Sequence, residues 1–373
     1  MVKVEDLYDK TKIPVDEKLV DELIDKYLQI SFKDMNDQQL NIGERKISSL
    51  LYNKINFVDN NKTEINKQDL DTLIAKVQND FEKAGKPYNP AQYGGVSNPL
   101  GIMPGWQVFQ SWNLLGTEKI SSKDLNHRFY FGIDNSKLYD LSNVLYDELK
   151  EANIPFYFKI DNNKEAQRRD KIVLYTSSEL LPKTLEVIEK VQTNRADLIS
   201  SCSEPSILMG KLNEKIGYAT EGHQSNSSYT DMLCETFTDS IEKSLKDYQS
   251  KNSNSSLKEV FKSKLEAYEK RGTKLETVDV KRRILMDLLL KEDPNYKKEL
   301  LQTFRNELSD KEMDLNNICF NKEIKQEIDT MYQDNTKENA FTKDFDHDLE
   351  MERMVNYQEQ TEKLPDDVKT LHG

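Results

Sequence analysis

The sequence has few of the residues that usually mark metal, disulfide or nucleotide sites. Its three cysteines, Cys202, Cys234 and Cys319, are too widely spaced for a zinc site and do not form an even set for disulfides. Four histidines are present, but none are paired as in HExxH, and the chain contains no P-loop and no GxGxxG motif. We therefore predict reduced thiols in ordinary packing, no metal site and no cofactor.

The chain also lacks a basic excess, a long apolar run and an apolar leader. Its 53 basic and 66 acidic residues give a formal net charge of -13 at pH 7, which argues against nucleic acid as a partner because phosphate backbones need a basic surface. No stretch approaches the roughly 20 apolar residues of a membrane span, and residues 1–7 are not an apolar signal region. We expect a protein that is cytoplasmic in the producing cell, or one secreted into a host cell without a cleavable signal peptide.

Four segments differ in their residue patterns. Residues 1–86 carry apolar side chains at helical spacing. Residues 87–249 combine strand and helix patterns, residues 257–333 are helical and highly charged, and residues 334–373 form a tail with 11 acidic and 5 basic side chains. This order predicts an α+β fold with a small antiparallel or mixed sheet core and helices, a helical N-terminal layer and a helical C-terminal extension.

Two stretches of the chain have more than one interpretation. Proline and glycine are concentrated in residues 85–116, which also contain Trp106 and Trp112. A loop of this length is either functional or a structural wrap that covers the sheet with its aromatic side chains. The acidic tail at residues 334–373 is either a solvated segment or an interaction or export segment.

The most regular pattern of the chain lies in residues 127–176. Successive side chains of a strand point to opposite faces. In the first strand-like run Phe129, Phe131 and Ile133 therefore share one face, and Arg128 and Tyr130 share the other. A second run ending at residue 160 alternates in the same way, and a third run before residue 176 is more continuously apolar.

Packing of these apolar faces on one core would gather polar side chains on the opposite face. These side chains are Arg128, Tyr130, Tyr157, Lys159 and Lys171. An acidic protein would then carry a local cationic, phenol-bearing surface, which is where we expect an anionic ligand. The alternative is an ordinary solvated strand face, because one wet face of an antiparallel sheet commonly carries such residues without a function.

Several pieces of this region follow one another in a fixed order. Arg128-Phe129-Tyr130 lies in a strand, and Phe158-Lys159 ends a second one. Arg168-Arg169-Asp170 then precedes Val173-Leu174-Tyr175, and Gly217-Tyr218-Ala219-Thr220-Glu221 follows later. The order and spacing of these pieces resemble the HopA family of bacterial type III effectors, over about residues 94–248. The resemblance implies an effector that acts in virulence and is secreted.

A more distant resemblance concerns lyases. The sheet core is similar to that of phosphothreonine lyase effectors, and relatives of the family include lyases of lanthipeptide biosynthesis that eliminate phosphate from phosphorylated Ser or Thr. Phosphothreonine lyase effectors use a Lys base and a His acid on the first strand. Tyr130 takes the position of that acid here, and strand alternation turns the nearest histidine, His127, away from Tyr130. The resemblance therefore implies either a lyase or a core that kept the fold and lost the chemistry.

Elimination of phosphate defines the roles that the candidate residues would have. A base removes the proton α to a carbonyl, an acid protonates the departing oxygen, and cations hold the phosphate. Lys159 is the candidate base and Tyr130 the candidate acid. The candidate phosphate ligands are Arg128, Arg168 and Lys171, and the candidate supporting residues are Tyr157, Asp170 and His223.

Each of these residues also has a plainer interpretation. Arg168, Arg169 and Asp170 fit a polar turn with an internal ion pair, which is worth little at a surface. Asp170 fits a carboxylate that orients an arginine better than it fits a catalytic acid. His223 lies in a polar loop, where simple exposure is the alternative.

These observations support two functions of different classes. The first is an effector-like protein that binds a phosphorylated protein or peptide, with a phospho-Ser/Thr lyase as its sharper form. The alternative is a non-enzymatic effector that engages a host or other partner protein through its helical regions. A secretion chaperone is a further candidate partner, and neither nucleic acid nor a membrane span is predicted.

Overall fold

The computed structural model describes residues 2–37, 47–58, 67–86, 96–97, 106–110, 124–161, 168–222, 228–251, 255–273, 275 and 277–332. The chain divides into two compact units, Met1–Lys325 and Gln326–Gly373. Of the second unit, residues 326–332 are described and are helical. The predicted acidic tail at 334–373 and His223 lie outside the described residues.

The described strands of the first unit form one antiparallel sheet in the order β1-β2-β4-β5-β3-β8-β7, with β6 paired to β3. This arrangement confirms the α+β prediction and makes the sheet antiparallel. The strands are β1 (Val96–Ser97), β2 (Trp106–Gln110), β3 (His127–Ile133), β4 (Tyr157–Asp161), β5 (Ile172–Thr176), β6 (Cys202–Ser203), β7 (Gly210–Lys211) and β8 (Ile216–Thr220).

Helices flank the sheet in sequence on both sides, as the helical periodicity predicts. They are α1 (Val4–Lys10), α2 (Glu17–Leu28), α3 (Phe32–Asp37), α4 (Ile47–Asn56), α5 (Lys67–Lys83), α6 (Leu138–Glu151), α7 (Leu181–Asn194), α8 (Ala196–Ile199), α9 (Tyr229–Lys251), α10 (Ser255–Lys270), α11 (Val278–Glu292) and α12 (Tyr296–Asp310), besides a short 3-10 turn at Asn135–Lys137. None of the described helices is both long enough and apolar enough to cross a membrane.

One face of the sheet is a hydrocarbon core beneath α6 and α7. Phe129, Phe131 and Phe158 are fully buried there. Tyr146 of α6 packs edge-on against Phe156, with ring centroids 5.5 Å apart. This is the face that strand alternation assigns to the apolar residues.

His127 is the polar exception on this apolar face. Its ring nitrogens lie 2.6 Å from the Tyr218 hydroxyl and 2.9 Å from Ser178 Oγ, and the side chain is fully buried. Burial lowers the pKa of His127 from 6.5 to about 3, so the ring is neutral at physiological pH. Its position opposite to Tyr130 confirms the expectation from strand alternation.

The other face of the sheet is also covered, which differs from a solvated strand face. Tyr130, Val173 and Tyr175 belong to a second apolar core that extends through α2, α4, α9, α11 and α12. Helix α9 packs against both α4 and α12. The long-range packing of these helices, which local periodicity does not report, is the reason that polar strand residues are buried.

The predicted long loop at residues 85–116 is wrong for residues 106–110, which form β2 within the sheet. Gln107 and Phe109 of this strand are buried, and Phe109 stacks on Phe158 with ring centroids 5.1 Å apart. The short alternating run from Trp106 to Gln110 carries a strand pattern, but the surrounding prolines and glycines masked it. Most of the remaining segment lies outside the described residues.

Candidate functional site

The strand register places the predicted residues on one face of the sheet. Lys159 of β4 lies opposite Val173 of β5, which in turn lies opposite Tyr130 of β3. In the neighbouring register position Tyr175 lies between Tyr157 and Arg128. Strands are about 4.8 Å apart, so the four predicted side chains begin within three adjacent strands.

Aromatic rings connect three cations on this face. The Arg128 guanidinium lies 4.7 Å from the centroid of the Tyr175 ring, and Lys159 Nζ lies 5.6 Å from the same centroid. Trp106 is shared in the same way, with Lys159 Nζ at 4.5 Å and the Arg168 guanidinium at 5.1 Å from its ring. We call Arg128, Lys159 and Arg168 the cation row, since each ring contacts two successive members.

Lys159 occupies the centre of the cation row. Its side chain is buried, with 8% of the residue exposed. Among the described residues its ammonium has no ion-pair or hydrogen-bond partner; its contacts are the rings of Trp106 and Tyr175. Such contacts stabilise a cation by about 0.5–2 kcal/mol, whereas buried ammonium groups are nearly always paired with an anion.

Arg128 differs from Lys159 because it is neutralised. Its guanidinium is bonded to one carboxylate oxygen of Glu221, and the backbone N–H of Tyr229 at the start of α9 donates to the other. Burial raises the pKa of the Glu221 carboxyl, while the charges of Arg128 and Lys159 oppose that rise. Arg128 Nε is buried and has no hydrogen-bond partner within the described part of the chain.

The phenols of this face are held in their neutral form. Burial raises the pKa of Tyr130 well above its usual value, against the opposing charge of Arg128. Burial also raises the pKa of Tyr157 to about 12, and its ring packs edge-on against Tyr175 with centroids 5.0 Å apart. Both hydroxyls therefore keep their protons at physiological pH and are able to donate hydrogen bonds.

The third member of the cation row, Arg168, belongs to a buried ion network. Its Nε and Nη2 atoms donate to the two carboxylate oxygens of Asp170 at 2.8 and 2.9 Å, and Asp161 lies 3.6 Å away. Tyr52 of α4 donates to Asp170 at 2.8 Å. Burial acts to raise the pKa of Asp170, but Arg168 and Tyr52 hold it below its usual range.

Lys171 completes this network rather than adding a free charge. Its ammonium is fully buried and lies 3.5 Å from Asp161. The predicted internal ion pair of Arg168 with Asp170 is present, but it is buried instead of lying at the surface. Asp170 therefore holds Arg168 in place, which is the orienting role that the sequence analysis favoured over a catalytic acid.

The surface is therefore less cationic than the sequence pattern indicates. Arg128, Arg168 and Lys171 each lie against a carboxylate, and Lys159 is the member of the predicted set that does not. The structure brings Arg128, Tyr157 and Lys159 around Tyr175 and places Arg168, Asp170 and Lys171 in the neighbouring network. The remaining predicted residue, His223, lies outside the described residues.

Sequence reasoning missed four contributors to this site. Glu221 had a signal, because it is two residues beyond Ala219, which pairs with Arg128, and so shares its face. Tyr175 had the same signal of strand alternation. Trp106 had only the short alternating run of residues 106–110, which the surrounding prolines and glycines masked. Tyr52 had no signal, because it lies on a helix whose docking position is not local information.

A metal site is not apparent in the described part of the chain. Among those residues no group of three or more His, Cys, Asp or Glu side chains is placed to hold a metal ion. The described cysteines are all buried and unpaired. The arrangement instead offers an ammonium, guanidinium groups and neutral phenols, which are donors suited to anions.

Comparison with known families agrees with the resemblance in the sequence. Residues 116–261 match the HopA1 effector protein family. The matched region includes β3, β4, β5, β8 and α9, and it contains Arg128, Lys159 and Glu221. It begins later and ends later than the resemblance inferred from the motifs.

Two solved structures of effector proteins from Pseudomonas syringae are also similar. The protein of pathovar syringae strain 61 is 11% identical, with 60% of this chain and 89% of that chain covered and a TM-score of 0.38. The protein of pathovar tomato strain DC3000 is 10% identical, with 79% and 99% covered and a TM-score of 0.39. A search of curated protein sequences finds no match.

Proposed function

We propose that this chain, whose residues 116–261 match the HopA1 effector protein family, is an effector that binds an anionic group of a target protein at Lys159. The anion we propose is a phosphorylated Ser or Thr side chain. The single observation that supports this proposal is the buried Lys159 ammonium, which has aromatic contacts but no anionic partner among the described residues. A bound phosphate would supply that partner.

Arg128 would be the second ligand of the phosphate. Glu221 now occupies the Arg128 guanidinium and the backbone N–H of Tyr229 together. A guanidinium and a helix N-terminus are the donors that phosphate groups commonly use, and α9 is a helix of 23 residues. The Glu221 carboxylate thus has the position that phosphate oxygens would take or share.

The sharper form of the proposal is a phospho-Ser/Thr lyase. Lys159 would be the base that removes the proton α to the substrate carbonyl, and the bond between the β-carbon and the phosphate oxygen would break. The electron pair of the broken C–H bond becomes the new C=C bond, and Tyr130 would donate a proton to the departing phosphate. Arg128 would hold that phosphate, with Arg168 and Lys171 fixing the neighbouring part of the sheet through Asp161 and Asp170.

Binding and elimination are tested with two measurements on the same protein. Labelled phosphopeptides are titrated by fluorescence anisotropy, and incubated phosphopeptides are analysed by mass spectrometry for loss of phosphoric acid. We expect Lys159→Met to abolish both, because the substitution keeps the apolar length of the side chain and removes the charge. Lys183→Met, at an exposed lysine of α7, is the matched control and should leave both unchanged.

The possible outcomes separate the two levels of the proposal. Binding that depends on Lys159 without loss of mass supports an anion-binding effector and contradicts the lyase. A peptide product that is heavier by one water than the elimination product contradicts elimination and indicates hydrolysis. Binding that is the same in the wild type and in Lys159→Met contradicts the proposed site.

The alternative is an effector that has no chemistry and engages a partner protein through its helices. The observation that favours it is the pairing of Arg128, Arg168 and Lys171 with carboxylates, which leaves little net positive charge for a phosphate. Under this alternative phosphopeptides should bind no more tightly than their unphosphorylated counterparts.

The effector family also bears on where the protein acts. The match of residues 116–261 to the HopA1 effector protein family supports delivery into a host cell, and we propose host proteins as the targets. A secretion chaperone in the producing cell remains a proposed partner.

A further inference from the structure

A groove distinct from the cation row lies between the N-terminal helices and the segment that leads into β7. Its volume is about 620 Å³, within the range of roughly 300–1,000 Å³ that is usual for ligand sites. Its lining includes the apolar residues Ile13, Leu19, Ile207 and Met209. The groove therefore offers apolar surface to a ligand.

The charge of the groove is opposite in sign to that of the whole chain. Its lining contains six basic residues and three acidic ones, whereas the chain has a formal net charge of -13. Such a local excess attracts an anionic partner to one place on an acidic protein. The basic residues are Lys10, Lys12, Lys18, Lys26, Arg169 and Lys211.

Most of these cations are not neutralised by the protein. In the described part of the chain Lys10, Lys12, Lys18 and Lys26 form no ion pair within 4.0 Å. Arg169 donates to the backbone carbonyl of Glu204 at 2.6 Å and forms no ion pair within 4.0 Å among the described residues. The exception is Lys211, which lies 3.3 Å from the Glu204 carboxylate.

A buried hydroxyl in the same groove lacks a partner. Ser206 is 2% exposed, and its Oγ has no hydrogen-bond partner within the described residues. A buried polar atom without a partner is costly, on the order of 1–3 kcal/mol. Because this oxygen is closed to solvent, it is not part of the surface that the groove offers to a ligand.

We propose that this groove binds an acidic peptide segment of a partner protein that carries apolar side chains among its carboxylates. The carboxylates would meet the unpaired lysines and Arg169. The apolar side chains would lie on the partly exposed Ile13 and Ile207, and the buried Leu19 and Met209 would back that surface. This surface is separate from Lys159, so the inference does not rest on the proposed phosphate site.

The groove is tested with defined peptides and charge-reversal variants of the full chain. The probe is a fluorescein-labelled peptide of glutamates with Leu at every third position, and a second peptide has Gly in place of each Leu. Lys12→Glu combined with Lys18→Glu changes two exposed groove residues. Lys33→Glu combined with Lys183→Glu changes two exposed lysines outside the groove lining and is the matched control.

We expect the Leu-containing peptide to bind the wild type and to bind the groove variant about tenfold more weakly or worse, since both attraction and steering are lost. The control variant should stay within about twofold of the wild type, because only the general charge has changed. The proteins should share one circular dichroism melting curve, as all four lysines are exposed.

Three results would overturn the proposal. One is the absence of peptide binding to the wild type. Another is an equal loss of affinity in the control variant, which would mean that net charge alone acts. The last is equal binding of the Gly-containing peptide, because the apolar lining would then have no part in recognition.

Discussion

The two faces of the central sheet are built from the same strands, yet one buries apolar side chains and the other buries charged groups. On the α6 and α7 side, Phe129, Phe131 and Phe158 pack as hydrocarbon, and the one histidine is neutral with both ring nitrogens bonded. On the α4 and α9 side, guanidinium, ammonium and carboxylate groups are buried among aromatic rings. Hydrophobic burial accounts for the first face, but charges need compensation that apolar packing does not provide.

The difference shows which charges need a functional explanation. A buried ion pair seldom stabilises a protein more than apolar residues of the same size would. The pairs of Arg128 and Arg168 are at least compensated within the protein, whereas Lys159 has only its ring contacts among the described residues. Lys159 is thus the residue where stability explains least.

The largest expected effect is on the apolar face. Phe129→Ala removes a fully buried ring and leaves a cavity, so we expect the free energy of unfolding to fall by about 3–5 kcal/mol. Urea or guanidinium denaturation followed by circular dichroism measures it. A loss below about 1 kcal/mol would mean that this face is not the tightly packed core of the fold.

A somewhat smaller effect is expected at the ion pair of the other face. Glu221→Ala leaves Arg128 buried without its carboxylate and removes the acceptor for the Tyr229 N–H, so we expect a loss of about 3 kcal/mol in the free energy of unfolding. The exposed carboxylate Glu204, which pairs with Lys211, is the matched control, and Glu204→Ala should leave the denaturation midpoint unchanged.

The same pair allows a sharper comparison. Arg128→Met combined with Glu221→Met should cost less than Glu221→Ala alone, because neither charge is then left unpaired. If the double variant is less stable than Glu221→Ala, the ion pair itself stabilises the sheet. The polar face would then contribute to stability as the apolar face does.

The pH dependence of stability distinguishes the neutral histidine from the charged face. The folded state holds the pKa of His127 near 3, below its ordinary value of 6.5. Between these pH values the unfolded chain binds more protons, so the contribution of His127 is complete above about pH 6.5 and is lost as the pH falls toward about 3. The loss is about 1.4 kcal/mol per pH unit within this window.

The measurement is the free energy of unfolding across pH 4 to 7 for the wild type and for His127→Asn, which cannot titrate. Carboxylates also titrate in this range, so the difference between the two slopes is the quantity that reports His127. Parallel slopes would mean that folding does not lower the pKa of His127, contrary to its burial.

The smallest effect on stability is expected at Lys159. Lys159→Met removes a charge that has no carboxylate partner among the described residues, so only its contacts with Trp106 and Tyr175 are lost. We expect a change of about 1 kcal/mol or less in the free energy of unfolding, together with loss of phosphopeptide binding. A loss as large as that of Glu221→Ala would make Lys159 a structural charge and remove the basis of the proposed site.

Much of the fold could be predicted from local sequence patterns. Helical periodicity predicted the helical layer of residues 1–86, and strand alternation placed Arg128, Tyr130 and Lys159 on one face. Both signals depend on residues close together in the chain. The proposed catalytic roles of these residues stay predictions.

The features of the fold and of the site that the sequence did not predict depend on contacts between distant segments of the chain. Tyr52 reaches Asp170 across more than a hundred residues of sequence, and no local pattern reports such a contact. The covering of the polar face by α4 and α9 likewise follows from how helices pack, so the face that the sequence predicts as a cationic surface is buried. Strand β2 was missed because its five residues lie among prolines and glycines.

Trp106 gives this site a built-in optical signal. The chain has two tryptophans, and the indole of this one lies against both Lys159 and Arg168. Indole emission responds to nearby charge, so an anion that arrives at Lys159 should alter the intrinsic fluorescence without any attached dye. The ring that now contacts two cations would then report the arrival of a counter-ion at Lys159, the one that lacks a carboxylate partner among the described residues.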